Sequence, residues 1–148
     1  MKPDHLGHVH IKVNNLKKAE EFYTKILGLK ITEKINDEFV FLSLGKHHHD
    51  VALMHVKNAP HPPEFSTGLF HFAFEVKSMK EFANFYKIFK LHKLPISTVD
   101  YGISKAMYTE DPSKNIVEIY VDTRNENKLW KGKSSLLMEE EILKYLED

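Results

Sequence analysis

The sequence repeats itself at an offset of 63 residues. The stretch 6–13, Leu-Gly-His-Val-His-Ile-Lys-Val, aligns without a gap on 69–76, Leu-Phe-His-Phe-Ala-Phe-Glu-Val. Self-similarity at a fixed spacing indicates a duplicated structural unit. The alignment pairs His8 with His71, so two equivalent imidazoles are expected at equivalent places and together suggest a metal site. The same register holds at further pairs: Asn15 and Ser78, Phe22 and Phe85, Tyr23 and Tyr86.

The first repeat predicts a strand, a helix and three more strands. Apolar and polar side chains alternate over 6–13, which is typical of a strand with one face against a helix. Asn15 is a suitable N-cap for a helix over about 16–27, and Gly28 is a suitable C-terminal stop. Three strand-like runs then precede a linker that contains Pro60, Pro62 and Pro63: about 29–35, 38–45 and 51–56.

The second repeat predicts the same order of elements. A strand at 69–76 leads to Ser78 as N-cap, and a helix extends to about residue 91. Strands follow near 95–100, 103–110 and 115–122. We therefore predict an α+β fold in which tandem βαβββ repeats, at about 5–57 and 68–122, form a curved mixed sheet around a metal cavity. This domain covers residues 1–122.

Residues 123–148 form a C-terminal extension to this domain. The stretch 123–133 is polar and is expected to be irregular. From Ser134 or Ser135 onward the spacing of apolar residues predicts an amphipathic helix that begins at one of these serines. Such a helix packs on a sheet edge or on a second subunit, and we favour the subunit interface of a homodimer.

Composition narrows the class of partner. The 148 residues carry 21 Lys+Arg and 21 Asp+Glu, so no excess of positive charge favours nucleic acid or a membrane surface. The expected partner is a small molecule. The absence of cysteine excludes disulfides and thiolate ligands, and with no long apolar run it predicts a cytoplasmic location. Ten histidines stand out, because imidazole is the commonest metal ligand in proteins.

Glu118 is an unusual residue for its surroundings. It lies inside the apolar run 116–121, where a lone carboxylate is costly to bury unless it is paired or bound to a cation. Metal ligation would explain Glu118, whereas the alternative for His8 and His71 is that each is a hydrogen-bonded, half-buried side chain. His10 faces the same way as His8, but its repeat partner is Ala73, so we expect His10 in the cavity wall.

These features resemble the vicinal oxygen chelate superfamily, which contains glyoxalases, bleomycin-resistance proteins and extradiol dioxygenases. The resemblance implies that His8, His71 and Glu118 are the metal ligands. It covers nearly all of residues 5–122. The matching stretches are Leu-Gly-His-Val at 6–9, Glu-Phe-Tyr at 21–23, Leu-Gly-Leu at 27–29, Phe-His-Phe-Ala-Phe at 70–74, and Tyr-Thr-Glu-Asp-Pro-Ser-Lys-Asn-Ile-Val-Glu at 108–118.

A fourth protein ligand is absent. Glyoxalase-type members use a ligand from the last strand of each unit, and the repeat register places Leu53 at that position in the first unit. Two histidines and one glutamate remain, the facial triad that suits non-heme Fe(II). The pattern is closest to the extradiol dioxygenase branch, and it is shared by the fosfomycin-resistance thiol transferases.

Further residues resemble catalytic positions of the extradiol dioxygenases. His49, directly before Asp-Val-Ala, takes the place of their acid–base histidine, while His47 and His48 are interpreted as solvated turn residues. Tyr108 takes the place of a tyrosine that can hydrogen-bond the substrate. One departure concerns Tyr101, which stands where those enzymes usually carry a histidine. A phenol can donate a hydrogen bond there but cannot carry a proton at neutral pH as imidazole does.

The sequence thus supports three hypotheses of function. The first is Fe(II)-dependent oxygenation and ring cleavage of a catechol-like substrate with O2. The second is a glyoxalase-like isomerase or lyase, or a fosfomycin-resistance-like thiol transferase, with Mn, Zn or Ni as Lewis acid. The third is a metal-free binding module that resembles the bleomycin-resistance proteins. In each case the expected substrate pocket includes His10, Lys12, Ala73 and Tyr120.

Overall fold

The computed structural model describes residues 1–125 and 129–147. It has the predicted α+β architecture with two βαβββ repeats, one in each of two compact units. Unit 1 comprises Met1–Thr67 and Asp111–Asn115, and unit 2 comprises Gly68–Glu110 and the described part of 116–148. Within the described residues, no helix has the length and apolar character needed to cross a membrane.

Unit 1 contains a four-stranded mixed sheet with the order β1-β4-β3-β2. β1 pairs in parallel with β4, and β3 pairs antiparallel with both β4 and β2. Every residue of β2 is exposed, because β2 is the edge strand. The strands are β1 (Val9–Val13), β2 (Lys30–Ile35), β3 (Phe39–Ser43) and β4 (Val51–His55).

The helix of unit 1 begins where the sequence predicts. The side chain of Asn15 accepts a hydrogen bond from the backbone N–H of Lys18, and α1 covers Leu16–Glu21. The chain then continues as a π-helical stretch over Phe22–Ile26, in which the N–H of Leu27 bonds the carbonyl of Phe22. Ala19, Phe22 and Tyr23 are buried, so this face of the helix packs in the core of unit 1.

Unit 2 contains a five-stranded mixed sheet with the order β5-β8-β7-β6-β9. Its helix α2 covers Met79–Leu91, and the Ser78 side chain caps it by accepting from the N–H of Glu81. Phe82, Ala83 and Phe89 of α2 are fully buried. The strands are β5 (Phe72–Glu75), β6 (Ser97–Asp100), β7 (Ser104–Glu110), β8 (Ile116–Asp122) and β9 (Ser135–Leu136).

The turn at 111–115 belongs to unit 1 and is held by a buried carboxylate. Asp111 is 2% exposed and accepts hydrogen bonds from the backbone N–H groups of Ser113 and Asn115. It also accepts from the hydroxyl of Tyr23 at 2.9 Å and from the side-chain amide of Asn115 at 2.9 Å. These bonds satisfy the buried charge, so the Asp-Pro-Ser segment has a structural role in unit 1.

The predicted start of the C-terminal helix at Ser134 or Ser135 is wrong. Ser135 and Leu136 form β9, which pairs antiparallel with the edge strand β6, and α3 begins only at Glu139. Pairing with a free strand edge satisfies backbone groups that a helix start would leave open. Leu137 and Ile142 are buried, and Lys90 of α2 forms an ion pair with Glu139, so the extension covers unit 2.

Candidate active site

Strand pairing places Glu118 at the centre of the polar face of unit 2. It lies in β8, with Ala73 of β5 directly beside it on one side and Tyr108 of β7 on the other. His71 immediately precedes β5, so its side chain comes from the same sheet edge as Ala73. Parallel pairing of β5 with β8 therefore brings the imidazole and the carboxylate together from distant parts of the sequence.

His71 and Glu118 form a direct pair. The His71 Nε2 and Glu118 Oε2 atoms are 2.8 Å apart, and Glu118 is 8% exposed. Burial raises the pKa of Glu118, whereas the nearby His71 charge and the hydrogen bond from the Tyr108 hydroxyl oppose this shift. The carboxylate is thus buried with few groups to compensate its charge.

This donor pair fits a divalent cation. Two ligand atoms that each lie about 2.1 Å from a metal, at right angles, are about 3.0 Å apart. The observed separation of 2.8 Å between Nε2 and Oε2 is that of a direct hydrogen bond, and it is compatible with two ligand atoms on one cation. The other ring nitrogen of His71, Nδ1, is buried and has no hydrogen-bond partner among the described residues. The imidazole is therefore held through Nε2, the atom that faces the carboxylate.

Two tyrosines extend this centre. The hydroxyls of Tyr108 and Tyr101 are 2.9 Å apart, and the rings of His71 and Tyr108 are 5.3 Å apart with an edge-on geometry. Burial raises the pKa of Tyr108 strongly, and the hydrogen bond with Tyr101 and the negative charge of Glu118 add to the effect. Tyr108 is a neutral hydrogen-bond donor at physiological pH.

The histidines of unit 1 form a second group. His8 immediately precedes β1, is exposed, and has its ring 4.4 Å from the ring of His49. A backbone hydrogen bond from Val9 to Asp50 ties the start of β1 to the turn that carries His49. Burial lowers the pKa of His49, and the neighbouring His8 charge lowers it further. His49 is therefore a neutral base near pH 7.

His48 is exposed, as expected for a solvated turn residue, and its side chain has two partners. Its Nε2 lies 3.1 Å from the Glu33 carboxylate, and its Nδ1 lies 2.9 Å from Nδ1 of His49. The contact with Glu33 could not be predicted from the sequence pattern, because Glu33 comes from the edge strand β2. His47 is also exposed, and its ring stacks on the ring of His5 with centroids 5.8 Å apart.

The predicted pocket residues lie on strand faces that the helices do not cover. His10 and Lys12 are exposed on β1, and the ring of His10 is 5.9 Å from the ring of Phe39. In unit 2, Ala73 is exposed, and the Tyr120 hydroxyl donates to Glu75 at 3.2 Å.

Across residues 1–125 and 129–147, no group of three or more His, Asp and Glu side chains is clustered closely enough to hold a metal ion. The structure brings together His71 with Glu118, and His8 with His49. The complete ligand set of His8, His71 and Glu118 stays a prediction.

Comparison with known proteins agrees with this architecture. The sequence pattern of the Glyoxalase/Bleomycin resistance protein/Dioxygenase superfamily matches residues 5–119, and the chain belongs to this superfamily. It is 26% identical over 122 residues to a catechol-2,3-dioxygenase from Bacillus subtilis, a match that covers 80% of this chain and 41% of that protein. It is 27% identical over 120 residues to a biphenyl-2,3-diol 1,2-dioxygenase from Rhodococcus globerulus, covering 79% of this chain and 63% of the relative.

Solved structures share the fold at lower identity. A lactoylglutathione lyase from Agrobacterium tumefaciens has a TM-score of 0.65 at 23% identity, with 82% of this chain and 96% of that chain covered. A fosfomycin resistance protein from Listeria monocytogenes has a TM-score of 0.66 at 16% identity, covering 82% and 94%. These likenesses establish the fold. The chain also spans less than two thirds of the length of the dioxygenases it matches.

Proposed function

We propose that this protein is an Fe(II)-dependent enzyme of the extradiol dioxygenase type that acts on a catechol-like substrate with O2. The observation that carries the proposal is the buried Glu118 carboxylate paired with His71, a donor pair that fits a divalent cation. His8 completes the proposed ligand set. Similarity in sequence to dioxygenases that act on vicinal diols supports the choice of reaction.

Each proposed residue has a distinct task. Two histidines and one carboxylate leave positions open for a diol and for O2, and bound iron would supply the oxygen chemistry. His49, whose pKa burial lowers, accepts a proton from the substrate hydroxyl. Tyr108 holds its proton and donates a hydrogen bond. His10, Lys12, Ala73 and Tyr120 line the substrate pocket.

The reaction is tested by anaerobic reconstitution with Fe(II), followed by air exposure with a panel of catechols. Ring-fission products absorb in the visible range, so turnover is followed directly by absorbance. We expect product from at least one catechol. If iron is bound and the whole panel stays silent, the proposed reaction is wrong.

The alternative is a Lewis-acid enzyme with Zn, Mn or Ni. The observation in its favour is Tyr101, which presents a phenol where the resembling dioxygenases carry imidazole. Leu53, which is fully buried, opposes a four-ligand glyoxalase centre. Elemental analysis of protein purified without added metal separates the dioxygenase from the Lewis-acid enzyme, since bound iron favours the dioxygenase. If the chain binds no divalent metal, a metal-free binding function replaces both proposals.

We also propose that the protein is cytoplasmic and forms a homodimer. Exposed apolar side chains on the extension, including Leu136 at 67% and Met138 at 49%, offer surface for a second copy. Light scattering at several protein concentrations tests the dimer. A mass of one chain at every concentration would overturn it.

A further inference from the structure

The C-terminal extension contacts the residue that departs from the dioxygenase pattern. The indole of Trp130 meets the Tyr101 ring edge-on, with ring centroids 5.7 Å apart and an interplanar angle of 89°. The Trp130 Nε1–H donates to the carbonyl of Lys133 at 2.8 Å, which closes a turn in front of β9. Trp130 is 52% exposed, and these two contacts place its indole against the Tyr101 ring.

The backbone around Tyr101 is fixed as well. Pairing of β9 with β6 places Ser135 opposite Asp100, the residue before Tyr101. The Tyr101 N–H donates to the carbonyl of Ser104 at 2.9 Å. The Asp100 carboxylate accepts from the N–H of Gly102, whose φ of +74° favours glycine at this corner. The corner that carries Tyr101 is therefore rigid.

The Tyr108 hydroxyl lies between Tyr101 and the proposed metal ligand. In the pairing of β7 with β8, Tyr108 is directly opposite Glu118. The hydroxyls of Tyr101 and Tyr108 are 2.9 Å apart, and either atom can be the donor in this contact. The Tyr101 hydroxyl is therefore bonded to Tyr108, the residue beside Glu118.

We propose that Tyr101 is a positioning residue, braced by Trp130, whose hydroxyl bonds Tyr108 and holds it in place beside Glu118. This role differs from the direct contact with substrate that the sequence suggests for position 101. The proposal rests on the metal-binding role of Glu118 proposed above. In this proposal the C-terminal extension is part of the site, because the indole of Trp130 packs against Tyr101 and Tyr101 in turn bonds Tyr108.

The first arm of the test uses metal-free protein and does not depend on the proposed function. Trp130 is the single tryptophan in the chain, so its fluorescence reports on the contact with Tyr101. Tyr101→Phe keeps the ring and should leave the emission maximum and acrylamide quenching unchanged. Tyr101→Ala should shift emission to the red and increase quenching. The matched control is Tyr145→Phe, in the same extension. Unchanged fluorescence in Tyr101→Ala would overturn the indole contact.

A double-mutant cycle in metal-free protein then tests the hydroxyl pair. Tyr101→Phe and Tyr108→Phe each remove one end of the same hydrogen bond. The double variant should lose no more in Tm than the worse single variant, because the shared contact is lost once. Full additivity of the two losses would show that the hydroxyls are not coupled, and the proposal would fall.

The second arm measures Zn(II) affinity by competition with a chelating dye. Tyr101→Phe and Trp130→Ala should each raise the Zn(II) Kd by about three- to tenfold, less than the roughly 10–100-fold loss typical of a direct partner of a metal ligand. Leu129→Ala, next to Trp130 and exposed, should leave the Kd unchanged. Circular dichroism confirms that each variant is folded. If Tyr108→Phe weakens binding and Tyr101→Phe does not, the positioning role is wrong.

The two proposals fail in different ways. If wild-type protein binds Zn(II) but turns over no catechol, the dioxygenase function is wrong and the positioning role is still decided by the Zn(II) and cycle results. If wild-type protein binds no metal, the metal-binding role of Glu118 is wrong, and the fluorescence and double-mutant results alone decide whether Tyr101 positions Tyr108. With an active catechol, Tyr101→Phe should lower kcat and leave KM within about twofold, since the residue does not touch substrate. A raised KM with unchanged kcat would assign Tyr101 to substrate binding instead.

Discussion

The two units differ most at positions that the repeat makes equivalent. In unit 2 the last strand carries Glu118, which pairs with His71, whereas unit 1 has Leu53 at the equivalent position, fully buried in its core. Unit 1 instead gathers imidazoles, with His49 beside His8. Duplication thus kept the frame of strands and helix while the polar centres diverged. Unit 2 carries a carboxylate and phenols at its polar centre, and unit 1 carries imidazoles.

The edges of the two sheets differ in the same way. The exposed edge strand β2 of unit 1 carries lysines and a register shift between Ile31 and Glu33, features that discourage further strand pairing. In unit 2, β6 is covered by β9 of the extension. The added segment brings Trp130 to Tyr101, so the unit with the carboxylate centre is also the one with extra bracing.

The largest expected effect comes from removing His49, the proposed catalytic base in unit 1. His49→Ala should retain metal and substrate binding and lose about 10²–10⁴ in kcat, the scale for removal of a proton-transfer group. Stopped-flow and steady-state assays with a reactive catechol measure it. The control is His47→Ala, in the same turn, which should be nearly silent. Equal losses in both variants would point to an effect on the whole turn.

Substitutions at the equivalent residues Leu53 and Glu118 test the comparison through the free energy of unfolding. In metal-free protein, Leu53→Glu should cost about 3–5 kcal/mol of the free energy of unfolding, because a carboxyl group would be buried without a partner. Glu118→Leu should cost less, about 1–3 kcal/mol, because it removes one partner and leaves the His71 imidazole, whose side chain is 28% exposed, without its carboxylate. Urea unfolding measures both.

The size control for the first substitution is Leu53→Met, which should cost less than about 1.5 kcal/mol. A loss in Glu118→Leu as large as that in Leu53→Glu would show that the His71–Glu118 pair is structural. That outcome would remove the argument that the carboxylate is kept for a cation.

The smallest effects come from the equivalent tyrosines of the two helices. Tyr23 donates to the buried Asp111, so Tyr23→Phe should cost about 1.5–3 kcal/mol. Tyr86 bonds the exposed Glu139, so Tyr86→Phe should cost less than about 1 kcal/mol. Similar losses at both positions would contradict the difference in burial of the two acceptors.

Alkaline unfolding gives an independent check on Tyr23. Burial and the Asp111 charge raise its pKa above the ordinary value, so the folded state holds the phenol proton more tightly than the unfolded state. The stability from this proton is fully present below about pH 10, the unfolded pKa, and is lost as pH rises above it. Tyr23→Phe should flatten this loss in urea titrations between pH 9 and pH 11, compared with wild type.

Much of the fold follows from the sequence pattern. The cap at Ser78 and the end of α2 at Leu91 agree with the prediction, because capping and periodicity are local properties. The extension was harder to predict. Leu136 and Leu137 fit a helical spacing, but the free edge of β6 selects a strand there, and that edge exists only after the sheet has formed.

The residues of the candidate site also fall into a predictable and an unpredictable group. Repeat register and the lone carboxylate identify His71 and Glu118 from sequence, and the structure places the two side chains in contact. The links from Trp130 to Tyr101 and from Glu33 to His48 could not be predicted. Each depends on an edge strand or on the extension, whose positions the periodicity of the repeat does not determine.

The most direct test of the central claim compares metal binding by four alanine variants. His8→Ala, His71→Ala and Glu118→Ala should each lower Fe(II) or Zn(II) affinity by about one to two orders of magnitude or more while circular dichroism stays unchanged. His10→Ala, on the same face of β1 as His8, should bind metal like wild type. Loss of metal in His10→Ala with retention in His8→Ala, or retention in Glu118→Ala, would contradict the proposed metal centre.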